Sequence, residues 1–443
     1  MKQLLYGKAL LLDELNGVPL HEAELMFQEA VVAEGSMYRC NRCGTTEKHH
    51  FYAHFCARCQ SECVYCRNCI MMGKASSCSK LVMWNGEELL FLKIENALHW
   101  QGKLSEGQQT ASDKVCEAVV NKETCLVWAV CGAGKTEVLF AGIALALSQG
   151  KRVCIATPRT DVVLELAPRL KKVFPTTLVS ALYGGSEEKN IAAQLVISTT
   201  HQLLRYYKAF DMMVIDEVDA FPYAADQSLQ FAVEKARKSP SSLIYLTATP
   251  STTLQKAARS GSLPYVTIPA RYHRHPIPIP ELRWCGNWKK IFAKGTIPSP
   301  LHAWYNTQLQ TNAPFLIFFP NIELMKQYVY LFSGIEAVYA EDPDRKQKVQ
   351  DLREGKTLGL LTTTILERGV TIPRLQVAVI GAEEDIFTES ALVQIAGRVG
   401  RSAQHPDGNV TFFHYGKTRA MVKAIKQMKR MNEEAKEKGW IDG

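Results

Sequence analysis

The chain has 443 residues, 47% apolar and 22% charged. At roughly 100–200 residues per domain, this length predicts two or three domains with real cores. The composition excludes a mostly disordered chain, a collagen-like repeat and a small disulfide scaffold. The formal net charge of +8 permits a polyanionic partner without requiring one.

No run approaches the ~18 apolar residues of a spanning helix. The opening run Lys8-Ala9-Leu10-Leu11-Leu12 stops at Asp13 and Glu14, short of a secretory signal. The expectation is an intracellular protein, where disulfides are rare. Residues 1–35 read as a helical or mixed lead-in. Eight of the 13 cysteines then fall between Cys40 and Cys78, which predicts a metal-binding module over 36–80. Cys40-Asn41-Arg42-Cys43-Gly44 forms one knuckle and Cys66-Arg67-Asn68-Cys69 a second half, so the favoured set is Cys40, Cys43, Cys66 and Cys69 around Zn2+. A closed shell of that kind folds the chain or docks a partner; it has no open position for chemistry. Cys56, Cys59 and Cys63 leave two other partitions open. Cys56 and Cys59 would replace Cys66 and Cys69, or a second site would form with His54 or Cys78. His49, His50 and His54 otherwise read as loop histidines, and Cys116, Cys125, Cys131, Cys154 and Cys285 as buried small hydrophobes. Arg39, Arg42, Lys48, Arg58 and Arg67, with Tyr38, Phe51, Tyr52, Phe55 and Tyr65, form either a stacking surface for single strands or the module's own core.

From 100 to 270 short apolar runs alternate with helical patterns, among them Leu126–Val130, Val153–Ala156, Leu195–Ser198, Met212–Ile215 and Leu243–Leu246. Runs apolar on both faces suit a parallel sheet covered by helices. A Pro-rich linker over 271–283 carries Arg271, His273, Arg274 and His275. A second alternation fills 284–443 and ends in a basic helical tail with Lys423, Lys426, Lys429 and Arg430. Both basic stretches read as solvated faces, with DNA contact as the alternative. The predicted fold class is α/β: two parallel-sheet domains behind a small zinc-ribbon-like module.

The segment Ala129-Val130-Cys131-Gly132-Ala133-Gly134-Lys135-Thr136 sits between an apolar run and a helical pattern, the context of a phosphate loop. Gly132, Ala133 and Gly134 let backbone N–H groups wrap a phosphate, Lys135 reaches the β- and γ-phosphates, and Thr136 ligates Mg2+. Asp216-Glu217 ends a buried strand, where Asp216 holds Mg2+ and Glu217 deprotonates the attacking water. Arg398 and Arg401 in Gln394–Arg401, spaced i, i+3, are predicted to share one helix face as arginine fingers.

In order along residues 104–401, these segments resemble the motifs of superfamily 2 helicases related to DEAD-box proteins. Leu104–Gln108 resembles the Gln-containing motif, Thr157-Pro158-Arg159 and Ser198–Gln202 motifs Ia and Ib, Thr247-Ala248-Thr249 motif III, and Thr362–Val370 motif V. The paired cysteines ahead of the core, with Asp216–Tyr223 and Thr363–Thr371, resemble the ComFA family of competence proteins. The resemblance implies an ATP-driven, single-stranded DNA translocase or helicase that draws transforming DNA inward, using ATP, Mg2+ and Zn2+. It places the protein in the cytoplasm, peripheral at the inner membrane face through the uptake channel. It implies a phosphoribosyltransferase-like partner from the same operon, and DprA. Carried over by residue, Gln108 contacts the base. Thr247 and Thr249 couple nucleotide state to DNA. Gln394, Arg398 and Arg401 meet the γ-phosphate, and Gly369 lies at the domain interface on the nucleotide side. Arg159, Thr199, Thr200, Thr364 and Arg368 touch DNA. A replication-restart helicase and a nucleotide-gated clamp that does not move are the rival readings.

Overall fold

The computed structural model describes residues 2–15, 22–367 and 371–442. The chain divides into two compact units. One comprises Met1–Leu104, Gln109–Val127 and Thr136–Val266; the other comprises Ser105–Gln108, Trp128–Lys135 and Thr267–Gly443.

The opening residues make strands more than helices. Ala9–Leu11 and Leu25–Glu29 flank Lys80–Trp84 in a three-stranded antiparallel sheet. Two hairpins follow, Val31–Glu34 with Met37–Cys40 and Phe51–Cys56 with Ser61–Cys66. Alternation too short to read in the sequence is fixed here by pairing across some seventy residues of chain. The cysteine module is not a bead ahead of the next domain. Cys40, Cys43, Cys66 and Cys69 share one core with Met213 and Ile215 of a central strand and Leu229 and Val233 of a helix.

A seven-stranded sheet follows, in the order Val179–Leu182, Leu195–Thr199, Val153–Thr157, Phe210–Asp216, Arg237–Thr247, Thr124–Ala129, Tyr265–Ile268. The first five are joined in parallel. Strands such as Leu195–Thr199 and Val153–Thr157 are buried along their whole length, as a sheet covered on both faces demands. The phosphate-loop segment and the acidic pair both follow strand ends, where open α/β sheets place ligands.

The second sheet has six strands, all joined in parallel, in the order Glu281–Trp284, Val410–His414, Gln376–Ile380, Phe315–Phe318, Gly359–Thr362, Glu336–Val338. Trp288, Phe292, Trp304, Phe315 and Phe332 fill one face of it. The basic tail is the helix Arg419–Glu437, which buries Met421, Ala424, Met428 and Met431 and leaves Lys423, Lys426 and Lys429 exposed, while the Arg430 guanidinium lies over the Trp128 ring at 4.6 Å. The chain thus carries the two parallel-sheet domains that the alternation predicts, and they are RecA-like, as the helicase resemblance implies.

Candidate functional site

The loop between strand Thr124–Ala129 and the helical turn Lys135–Val138 holds Gly132 at φ +84° and Gly134 at φ +71°. Both angles lie where a side chain is strained, so glycine is required for the loop to turn its N–H groups inward. Gln108, near the start of helix Glu106–Asn121, braces this loop. Its Oε1 accepts from the Ser105 N–H at 2.8 Å and its Nε2 donates to the Ala133 carbonyl at 2.9 Å. The amide expected to meet a base therefore has both ends engaged by the chain's own backbone in this structure.

Asp216 closes its strand, and Glu217 beside it stands at φ +57°, with its N–H donating to Asp216 Oδ1 at 2.9 Å. A non-glycine residue held in that region is strained, and such strain gathers at working sites. Thr247 Oγ1 donates to Asp219 Oδ1 at 2.5 Å and Thr249 Oγ1 to Asp219 Oδ2 at 2.6 Å. One carboxylate thus bridges both threonines to the acidic segment. The sequence reading includes Asp219 in the acidic motif but gives it no role. Its signal is an acid three residues past Asp216, with two hydroxyls available in Thr247-Ala248-Thr249.

The unit containing the phosphate loop also contains Gln394–Arg401. Cys131 Sγ donates to Gln394 Oε1 at 3.1 Å. Gly397 permits the approach, since a Cβ there would stand 2.6 Å from that of Cys131. Helix Glu389–Ala396 ends before the arginines, so Arg398 and Arg401 do not share a helix face as predicted. They lie in the turn that follows, Arg398 Nε donating to the Glu367 carbonyl at 2.7 Å and Arg401 Nε to the Gly397 carbonyl at 2.9 Å. Gly400, at φ +66°, then turns the chain out of the helical direction.

Arg271, read from the sequence as part of a solvated stretch, is 2% exposed. Its Nη1 donates to the Gly400 carbonyl at 2.6 Å, His273 Nε2 lies 3.0 Å from the same oxygen, and its stem lies beside Gly132. Burial pulls the guanidinium down to about 10, so it stays charged at neutral pH. Arg271 Nε and Nη2 and Gln394 Nε2 are buried donors without a hydrogen-bond partner. Buried N–H groups normally find acceptors. Orphaned donors beside a glycine loop fit a polyphosphate.

Of the expected nucleic-acid contacts, Arg159 pairs with Asp161 at 2.8 Å. Thr199 ends its strand and Thr200 opens the next turn, both buried, with Thr200 Oγ1 lacking a partner. Thr364 opens the turn Thr364–Leu366. Arg368 and Gly369 lie outside the described residues.

In the cysteine module, Cys40, Cys43, Cys66 and Cys69 are buried, with sulfurs all within 4.8 Å of one another. Cys40 and Cys69 are 3.8 Å apart, and Cys43 and Cys66 3.7 Å. A zinc–sulfur bond of about 2.3 Å gives a tetrahedron with edges of about 3.8 Å, so the set fits Zn2+. Arg42 is 1% exposed, which takes it off any DNA-stacking surface. Its Nε and Nη2 donate to Cys69 Sγ at 3.3 and 3.1 Å, and its Nη1 to the Met72 carbonyl at 2.9 Å. Lys235 Nζ donates to the Arg42 and Leu204 carbonyls at 2.6 and 2.8 Å. A buried guanidinium and a half-buried ammonium thus stand beside a set that would carry net negative charge. Arg39 and Arg58 are exposed but paired with Glu34 and Asp13. Of the module's aromatics, Tyr38 and Phe51 pack on the core, while Tyr52 and Phe55 are exposed.

Two RecA-like sheets, a phosphate loop, an acidic pair followed by an Asp219 bonded to Thr247 and Thr249, and paired arginines define a superfamily 2 helicase, an ATP-hydrolysing enzyme. Residues 101–252 match the family described as "Type III restriction enzyme, res subunit" and residues 301–403 the "Helicase conserved C-terminal domain". The fold is shared with yeast Dbp5 bound to RNA and ADP BeF3, at TM-score 0.51 and 18% identity over 74% of this chain and 91% of that one. It is shared with RecG bound to a three-way DNA junction, at TM-score 0.51 and 17% identity over 75% of this chain and 45% of that one.

Residues 1–83 match the "Competence protein ComFA N-terminal domain". The chain is 51% identical to Competence protein ComFA of Bacillus subtilis (strain 168), over 95% of this chain and 91% of that protein. It is 37% identical to the Streptococcus pneumoniae (strain ATCC BAA-255 / R6) protein of that name, over 94% and 96%. The chain belongs to the ComFA family of competence proteins. No helix among the described residues is long and apolar enough to cross a membrane.

Proposed function

We propose that this enzyme is an ATP-driven translocase on single-stranded DNA that powers uptake of transforming DNA. The observation that carries the reading is the set of orphaned buried donors, Arg271 Nε and Nη2 and Gln394 Nε2, beside the glycine loop. Hydrolysis of ATP to ADP and phosphate supplies the free energy. Lys135 neutralises phosphate charge, Thr136 and Asp216 hold Mg2+, and Glu217 takes the proton of the attacking water. Gln394, Arg398 and Arg401 present donors to the terminal phosphate, with Gly369 on the nucleotide side. Arg271 adds a further guanidinium. Gln108 acts by bracing the Ala133 carbonyl.

Thr247 and Thr249 pass nucleotide state through Asp219. Arg159, Thr199, Thr200, Thr364 and Arg368 contact the DNA backbone, which needs no base sequence. Zn2+ sits on Cys40, Cys43, Cys66 and Cys69. The functional segments run 36–80 for the cysteine module, 100–270 and 284–443 for the motor domains, with 271–283 between. The protein works at the inner membrane face, beside the uptake channel, with a phosphoribosyltransferase-like partner and DprA.

The test is ATP hydrolysis with single-stranded DNA, duplex DNA and RNA, paired with ATP-dependent displacement of a protein roadblock from a single strand. Single-stranded DNA is expected to stimulate hydrolysis most, and the roadblock to be displaced. Lys135→Ala is expected to abolish stimulated hydrolysis while DNA binding stays measurable. Stimulation without displacement would make the protein a clamp and overturn translocation.

A further inference from the structure

A second group of four thiols lies in the module, apart from the first. Cys56 closes strand Phe51–Cys56, Cys59 sits in the turn, Cys63 lies on the returning strand Ser61–Cys66, and Cys78 precedes strand Lys80–Trp84. Their sulfurs all lie within 4.8 Å of one another. Cys56 and Cys78 are 3.8 Å apart and Cys63 and Cys78 3.4 Å. A disulfide needs about 2.05 Å, and all four are free thiols. The spacing is instead close to the edge of about 3.8 Å of a tetrathiolate tetrahedron.

The surroundings are those of a ligand site rather than a patch of core. None of the four joins the apolar cluster that takes in Cys40, Cys43, Cys66 and Cys69. Ser77 Oγ lies 3.3 Å from Cys63 Sγ and Ser76 Oγ 3.4 Å from Cys78 Sγ. The Cys-x-x-Cys step over Cys56–Cys59 supplies two ligands from one turn.

We propose that Cys56, Cys59, Cys63 and Cys78 form a second site for a thiophilic divalent cation of the zinc type, filled independently of the first. Four thiolates select such a soft or borderline ion over Mg2+ or Ca2+. On binding, the thiol protons pass to solvent and four metal–sulfur bonds form. The ion pins the hairpin tip to the Ser76–Ser79 turn. That turn leads directly into Lys80–Trp84, the middle strand of the first sheet. The first set is buried throughout and has Arg42 beside it, whereas Cys59 is exposed. Water screens the second site's charge, and chelators reach it first. The inference does not rest on the translocase reading.

The test is metal content per chain of the full-length protein, purified without chelator, with wild type beside Cys59→Ser and Cys78→Ser. Wild type is expected to hold about two zinc ions and each variant about one, as two closed tetrahedral sites predict. Cobalt reconstitution is expected to give an all-thiolate tetrahedral spectrum whose intensity halves in Cys78→Ser. Chelator release is expected in two phases, the faster absent from Cys59→Ser. Cys59 is exposed, so its variant keeps the core intact, and circular dichroism checks this. About one zinc in wild type and variants alike overturns the proposal, as does about two in all three. A mass loss of about two daltons, placing a disulfide between Cys63 and Cys78 in the native protein, also overturns it.

Discussion

The buried cysteine set and the phosphate-loop neighbourhood, the two ligand sites proposed above, differ in what the fold leaves unpaired. Around Cys40, Cys43, Cys66 and Cys69 the polar groups are engaged: Arg42 donates to sulfur and to carbonyls, and Lys235 to two carbonyls. Beside Gly132 the fold does the opposite, keeping donors on Arg271 and Gln394 buried and without acceptors. A ligand that stays for the life of the protein is built into the core, and its neighbours are finished around it. A ligand that must arrive and leave is met by groups that stay costly until it binds.

The sharpest break of this contrast is the removal of one permanent ligand. Cys69→Ser is expected to lose one metal ion and leave three thiols in the core. Structural zinc contributes on the order of 10 kcal/mol to folding in small modules, so the module should unfold. Loss of the first unfolding transition in urea, with zinc content measured alongside, checks this. An unchanged transition would mean that apolar packing alone holds the module.

The opposite side is probed by Arg271→Met. If its free N–H groups wait for phosphate, kcat/KM for ATP should fall roughly 100-fold. Arg271→Lys should restore only part, because an ammonium lacks the planar fork. Steady-state hydrolysis at saturating single-stranded DNA measures it. Activity within about threefold of wild type would make Arg271 a strut for Gly400 alone.

A smaller effect is expected where the two hydroxyls meet Asp219. Asp219→Asn keeps the shape and removes the charge that Thr247 and Thr249 share. Hydrogen bonds to a charged acceptor contribute about 1.5–3 kcal/mol each. Roadblock displacement should therefore drop on the order of tenfold or more, while DNA-free ATP hydrolysis stays within about threefold. An equal fall in both would place Asp219 in the hydrolysis step rather than in coupling.

These residues also mark where the sequence stops being readable. Both parallel sheets were legible, because apolar runs such as Leu195–Ile197 and Phe315–Phe318 need only local composition to declare themselves. The phosphate loop was legible because its glycines, lysine and threonine are contiguous. Ala9–Leu11 was not, since three residues cannot display a period; the partner strand Lys80–Trp84 defines it. Arg271 was misread because it opens a stretch rich in Pro, His and Arg, and its burial depends on a carbonyl 129 positions on. The arginine turn was readable in part: Gly397 is a stop signal that the i, i+3 spacing of Arg398 and Arg401 obscured. Among the cysteines, spacing left three partitions open, and only tertiary placement separates two groups of four.

Arg42 carries the smallest prediction and the most specific one. It lies inside the first knuckle, where charge alone would put it in solvent. Instead its guanidinium spans Cys69 Sγ and the carbonyls of Cys69 and Met72. N–H···S bonds and nearby positive charge offset the negative charge of a tetrathiolate, and partners of this kind are worth about 10- to 100-fold in metal affinity. Arg42→Met preserves much of the side chain's length and removes both effects. The zinc dissociation constant, measured by chelator competition at neutral pH, is expected to rise about tenfold with the fold retained. Arg42→Lys keeps charge but not the fork, so it should fall between the two. If Met and Lys weaken zinc equally, the fork's geometry rather than its charge is what the cluster uses; if neither does, the sulfur contacts are incidental to metal binding.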